Sequence, residues 1–257
     1  MHKPLTDTHA HLTYIEDAEI LKALDTAYAD SNALIIDPGV DYNDFQARYE
    51  RLKSYSWVRL AAGIWPDEYP LNNQKLALEA LEHALQHPAC KFLGESGLDY
   101  YWMKAEPNVQ KKLFMSQLEL AVAYKKPVIV HSRDAWVDTL QCLELVKKSV
   151  PVIIHCFSYG LDELNVLVKN NYYVSFSGNI TYKRMQQVVK NLSNVPLELL
   201  LLETDTPYQN PEPYRGKPSS PFDIVRTYEA VASNLQVSIE ELQNSVTNTI
   251  KHLLNEQ

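Results

Sequence analysis

The chain has 257 residues, 46% of them hydrophobic and 22% charged, a balance that excludes a disordered, collagenous or low-complexity protein. Its 24 Lys and Arg against 32 Asp and Glu leave a net charge of −8. An extended basic track for duplex DNA is thereby excluded, and any nucleic acid must meet a local patch or a bound cation. Cys90, Cys142 and Cys156 are odd in number and form no C-x-x-C pair, which argues against a disulfide framework or a zinc ribbon and suits a reduced, cytoplasmic protein. The opening Met1-His2-Lys3-Pro4 does not read as a targeting leader. No apolar run approaches the ~18 residues needed to cross a bilayer, so no membrane partner is expected.

Short β-rich runs alternate with amphipathic stretches along the chain. Strands are predicted at residues 5–9, 33–37, 57–63, 91–95, 128–131, 152–155, 172–177 and 197–203. Several are continuous apolar runs, such as Pro127-Val128-Ile129-Val130 and Leu199-Leu200-Leu201-Leu202, as expected of parallel strands buried on both faces. Between them, Ile20, Leu21, Leu24, Ala27 and Tyr28 share one helical face, and Leu161, Leu164, Leu167 and Val168 share another. Phe114, Leu118 and Ala121 follow Pro107, which suits a first helical turn. Eight β/α repeats without a composition break predict one α/β domain over residues 1–257, a single (β/α)8 barrel. A doubly wound sheet is the alternative, and no G-x-G-x-x-G favours it.

The seven glycines, Gly39, Gly63, Gly94, Gly97, Gly160, Gly178 and Gly216, are all expected at or just beyond C-terminal strand ends, the rim where barrel chemistry sits. The same ends carry His9, His11, Glu95, His131, His155 and Asp205. His9 and His11, two residues apart on an extended strand, point to one side. Closure of a barrel would bring the last strand beside the first. Four imidazoles and two carboxylates suit one or two divalent ions. A lone histidine at a strand end is usually just hydrogen-bonded, but six such residues on one rim make that account of the set improbable. His2, His83, His87 and His252 are expected to face solvent, and Cys156 to be a buried thiol alternating with His155.

Asp7-Thr8-His9-Ala10-His11-Leu12, Gly94-Glu95-Ser96-Gly97-Leu98-Asp99-Tyr100, Pro127 through Ala135, His155-Cys156-Phe157-Ser158, Ser175-Phe176-Ser177-Gly178-Asn179 and Glu203-Thr204-Asp205-Thr206-Pro207-Tyr208 together resemble the TatD family of metal-dependent deoxyribonucleases, in the family's order from about residue 5 onward. The resemblance implies a TIM barrel of the amidohydrolase-like kind, one or two divalent ions (Zn²⁺, Mg²⁺ or Mn²⁺) and hydrolysis of phosphodiester bonds in DNA. It also implies that His9, His11, Glu95 and Asp205 hold a first ion, with Glu95 bridging to a second completed by His131 and His155. Two positions depart from the family pattern. Trp65 in Gly63-Ile64-Trp65-Pro66 stands where a histidine is usual, and Ser219 where asparagine is common. Indole cannot ligate a metal, though it can stack on a base.

Asp205 is expected to orient the attacking water and accept its proton, and Glu95 to fix the distance between ions. Arg133, Arg215 and Lys217 are the candidate phosphate contacts; for Arg133 a structural pair with Asp99 is the alternative. Tyr100, Tyr101 and Tyr208 are weaker candidates for base stacking. Glu203 is expected to orient a ligand histidine or a basic side chain. The competing reading keeps the metal site and changes the bond, to an ester or amide and including aminoacyl-tRNA deacylation, since a fold does not settle chemistry. A metal-binding scaffold without activity is a third.

Overall fold

A computed structural model describes residues 3–256. Seven strands form among them: β1 (Ile35–Asp37), β2 (Val58–Ala62), β3 (Cys90–Asp99), β4 (Val128–Arg133), β5 (Val152–Ile154), β6 (Tyr173–Phe176) and β7 (Leu200–Leu202). Helices alternate with them, giving an α/β fold. The chain divides into two compact units, one drawn from residues 1–37, 53–58 and 156–257 and the other from 38–52 and 59–155.

In the second unit β2, β3, β4 and β5 pair in parallel in chain order. The apolar runs that predicted them are buried at Phe92, Leu93, Val128, Val130 and Ile153. Pro107–Tyr124 is the long helix of this unit, with Pro107 in its first turn and Leu113, Phe114, Leu118 and Ala121 buried. Proline there forfeits no helical hydrogen bond, because the first turn has no acceptor for its missing N–H. The side chain of Gln117 on this helix is buried and pairs with the backbone of Ile64, accepting from its N–H at 2.9 Å and donating to its carbonyl at 3.0 Å. That double bond fixes the segment leading into Trp65.

In the first unit β6 and β7 pair in parallel. Helix Ala18–Tyr28, capped by the Asp17 side chain, buries Leu21, Leu24 and Tyr28, and helix Leu161–Lys169 buries Leu164 and Leu167, as their apolar spacing predicts. The C-terminal helices Ile224–Leu235 and Ile239–Leu254 bury Tyr228, Val231, Val246 and Ile250.

The expected eight strands are corrected to seven. The segment predicted as the first strand makes only isolated bridges, Asp7 to Ile35 and Ala10 to Thr206. It is nevertheless bonded on both sides: Asp7 N donates to Leu34 O and Ala10 N to Ile36 O on one flank, and Thr8 N donates to Leu202 O and His11 N to Thr206 O on the other. The carboxylate of Asp7 accepts the N–H groups of His9 and Thr204, so a side chain takes donors that a regular ladder would use.

Two further expectations are corrected. Gly94 and Gly97 lie inside β3, which runs on to Asp99, and not beyond its end. Cys156 is not a buried strand residue: it follows β5 with φ +45° and is half-buried, its Sγ 3.3 Å from Ser177 Oγ. Among the described residues no helix is long and apolar enough to cross a membrane.

Candidate metal centre

In the second unit, β3 and β4 run in register with Gly97 opposite His131 and Asp99 opposite Arg133. Period-two alternation puts Glu95, Gly97 and Asp99 on one side of β3, and His131 and Arg133 on one side of β4. Close approach of the two strands requires glycine. Gly97 has φ +155°, and a Cβ there would lie 1.8 Å from the carbonyl oxygen of His131. A Cβ on Gly63 would fall 2.5 Å from the carbonyl oxygen of Glu95. The backbone N–H of Glu95 donates to Gly39 O at 2.6 Å.

Glu95 Oε1 lies 2.9 Å from His131 Nδ1 and 3.1 Å from His155 Nε2. His131 Nε2 lies 2.8 Å from Asp99 Oδ2. Burial alone would lower the imidazole's pKa, but the hydrogen bonds to Asp99 and Glu95 outweigh it and hold His131 above the ordinary histidine value. Burial pushes Asp99 upward, but the His131 bond, the Trp102 N–H and the charges of His131 and Arg133 bring it below the usual carboxylate value. The indole of Trp65 meets the His131 ring edge to face at 5.8 Å.

In the first unit, Asp205 Oδ1 lies 3.9 Å from His9 Nε2 and 3.7 Å from His11 Nε2, with the two imidazoles edge to face at 5.1 Å. Asp205 N donates to His9 O at 2.8 Å, and Asp205 holds a left-handed backbone with φ +58°, a conformation aspartate tolerates better than most residues. Tyr14 stacks on His11 with centroids 5.0 Å apart and rings 9° from parallel, and Tyr208 meets the same imidazole edge-on at 6.0 Å.

Asp7 ties the segment carrying His9 to the residues that follow β7. Fully buried, it accepts Thr204 N at 2.9 Å, Thr204 Oγ1 at 2.6 Å and His9 N at 3.2 Å. Burial pushes its carboxyl up to about 7 in spite of those bonds. Thr204 Oγ1 accepts in turn from Thr206, whose hydroxyl lies 3.3 Å from Ser219 Oγ, and Ser219 Oγ donates to Tyr208 O at 2.6 Å. Ser219, one of the two departures from the family pattern, is thus 7% exposed and braces the Tyr208 loop.

The donor chemistry fits divalent cations. His9, His11 and Asp205 each offer a ligand atom within 4.8 Å of the others', and so do Glu95, His131 and His155. Each group mixes imidazole nitrogen with carboxylate oxygen, the set favoured by zinc and by the harder divalent ions.

The remaining candidates have partners of their own. Arg133 packs its guanidinium over Tyr101 at 3.8 Å, and Arg215 over Tyr182 at 4.4 Å. Lys217 sits 5.8 Å from the Tyr214 ring. Tyr100 donates its hydroxyl to Asp138 at 2.7 Å. Glu203 is buried and accepts the N–H of Cys156, the residue after His155, at 2.7 Å. His83 and His252 are exposed as expected, and His2 lies outside the described residues. His87 is instead half-buried against Phe45 and Tyr49. Asp7 and Asp99 were not among the expected site residues. Each stands at an even spacing from a candidate ligand on the same strand, Asp7 two before His9 and Asp99 four after Glu95, and that spacing is the signal that would have found them.

The family model described as TatD related DNase matches residues 6–255. The chain is 31% identical to YabD, an uncharacterized metal-dependent hydrolase of Bacillus subtilis strain 168, over 97% of this chain and 98% of the relative. It is 30% identical to YcfH, an uncharacterized metal-dependent hydrolase of Escherichia coli K12, over 97% and 95%. The crystal structure of YJJV, a TatD homolog of Escherichia coli K12, superimposes with a TM-score of 0.84 at 27% identity, covering 100% of both chains. The chain belongs to the TatD family of metal-dependent hydrolases.

Proposed function

We propose that the protein hydrolyses phosphodiester bonds in DNA with one or two divalent ions, for which His9, His11 and Asp205 are the ligands in the first unit and Glu95, His131 and His155 those in the second. The observation that carries this reading is the pair of three-donor groups, each joining histidine to a carboxylate. When bound, a divalent ion supplies Lewis acidity and neutralises the charge of a phosphodiester anion. In this reading Asp205 orients the attacking water and takes its proton. His131, fixed by Asp99, and His155 complete the donors on the Glu95 side. Arg133 and Arg215 hold phosphate oxygens, and Trp65, whose indole meets the His131 ring, stacks on a base or sugar.

The test is turnover after reconstitution with Mg²⁺, Mn²⁺ or Zn²⁺ on a single-stranded oligodeoxynucleotide, a simple phosphodiester and an aminoacyl ester. Cleavage of the first two is expected. Hydrolysis of the ester alone would replace the nuclease reading with the ester hydrolase. Asp205→Asn that keeps its metal and near-normal turnover would remove the proton-accepting role from Asp205.

A further inference from the structure

The turn after β3 exposes two large aromatic side chains side by side. Tyr101 is 56% exposed and Trp102 57%, their rings nearly perpendicular with centroids 5.0 Å apart. Burial does not explain them, since neither contributes to a core. Arg133 lies over the Tyr101 ring at 3.8 Å and 5.8 Å from that of Trp102, so the corner carries a guanidinium, with the Asp99 carboxylate close enough to feel its charge.

The corner is anchored to the Glu95–His131–His155 group by short bonds. Trp102 N donates to Asp99 Oδ1 at 2.7 Å, and the other oxygen of the same carboxylate lies 2.8 Å from His131 Nε2. On β4, Arg133 projects to the same side as His131, about 6.6 Å further along the strand. The backbone of Trp102 is thus tied through Asp99 to His131, and Arg133 stands two residues beyond His131 on the same strand.

We propose that Tyr101, Trp102 and Arg133 form a stacking platform for an unpaired nucleobase of the substrate strand. The proposal rests on the phosphodiesterase reading above and adds to it the residues that seat a base of the substrate. The Trp102 ring receives the base, and Arg133, held over Tyr101, donates to the adjoining phosphate. A paired base in a duplex has both faces covered by its neighbours and cannot use the platform, whereas single strands are commonly held by such stacking beside cationic side chains.

The experiment uses the metal-free full chain, so that nothing is cleaved. Affinities for oligothymidylate and for an abasic phosphodiester oligomer of the same length are measured by quenching of tryptophan fluorescence and by anisotropy of labelled oligomers. The wild type should prefer the base-bearing strand, and Trp102→Ala should shrink that preference roughly 5- to 150-fold, as expected for one lost stack. Trp102→Phe should keep most of it. Equal affinity of the wild type for both oligomers, or an equal loss on both in Trp102→Ala, would overturn the platform. A preserved base preference in a protein that cleaves no phosphodiester after metal reconstitution would support the platform and defeat the catalytic reading, so the two failures are distinguishable.

Discussion

Asp99 Oδ2 stands 2.8 Å from His131 Nε2, while the opposite nitrogen of the same ring, Nδ1, lies 2.9 Å from Glu95 Oε1. The carboxylate fixes which nitrogen of His131 faces the donor group, and in doing so fixes the ring's rotation. Partners that orient a ligand imidazole in this way are typically worth about 10- to 100-fold in metal affinity. Asp99→Asn should therefore weaken divalent-ion binding by about that factor, read by titration calorimetry, with little change in the midpoint of unfolding of the metal-free chain. Unaltered affinity in Asp99→Asn would mean that His131 takes no part in holding the ion.

The candidate ligands stand out in the sequence as rare ligating residue types whose facing follows from β alternation, but Glu95 and His131 lie within β3 and β4 and not at the strand ends expected of them. The sequence offers Asp99 only as an alternative partner for Arg133, whereas the register that sets Asp99 opposite Arg133 also lets its carboxylate reach back to His131. The first predicted strand failed for a different reason. Its hydrophobic pattern is strand-like and its backbone is bonded on both sides, but Asp7 draws two backbone donors to its side chain. Gly97 was misplaced because glycine reads as a turn, whereas here it lets β3 continue past a crowded carbonyl. None of these three outcomes depends on composition; each depends on which group occupies a few ångströms of space.

Gly97→Ala should be among the most damaging small substitutions in the second unit. The added methyl would sit 1.8 Å from the carbonyl oxygen of His131 at a φ of +155°, so β3 and β4 must separate where the Glu95 group is held. A loss of about 3 kcal/mol or more is expected, with weakened metal binding, by denaturant unfolding and calorimetry. Gly216→Ala is the control: nothing lies within 4 Å of its Cβ, and only its φ of +86° resists, at roughly 1–2 kcal/mol. Equal losses at the two positions would refute the close-approach argument.

Asp7→Ala should destabilise the first unit through the donors it abandons. Thr204 N, Thr204 Oγ1 and His9 N would all lose an acceptor in a buried setting, at about 1–3 kcal/mol for each left unsatisfied. Because burial already disfavours the charged carboxylate, the uncharged Asp7→Asn should cost much less, having lost a charge but kept an acceptor oxygen. Urea unfolding of the two variants at one pH checks the ordering. If Asn proves as harmful as Ala, charge and not hydrogen-bond acceptance is what Asp7 contributes.

Cys90 offers a pH signature far from the candidate ligands. Its thiol is buried in β3, where desolvation pushes the pKa from 9.0 to about 11 against the opposing charges of Lys126 and Arg48. Between those values the unfolded chain has released the proton while the folded chain still holds it, so the unfolded state binds fewer protons and stability must fall as pH rises. The contribution is fully present below pH 9 and lost towards pH 11, with an upper limit of about 3 kcal/mol for a shift of that size. Other groups titrate in the same range, so the comparison is with Cys90→Ala, which leaves a small cavity but no titrating thiol. The variant should be the less stable protein at pH 8, and the gap should narrow steadily as the pH approaches 11. A gap that stays constant across that window would show that the thiol ionises alike in both states and that the interior around Cys90 is wetter than its burial indicates.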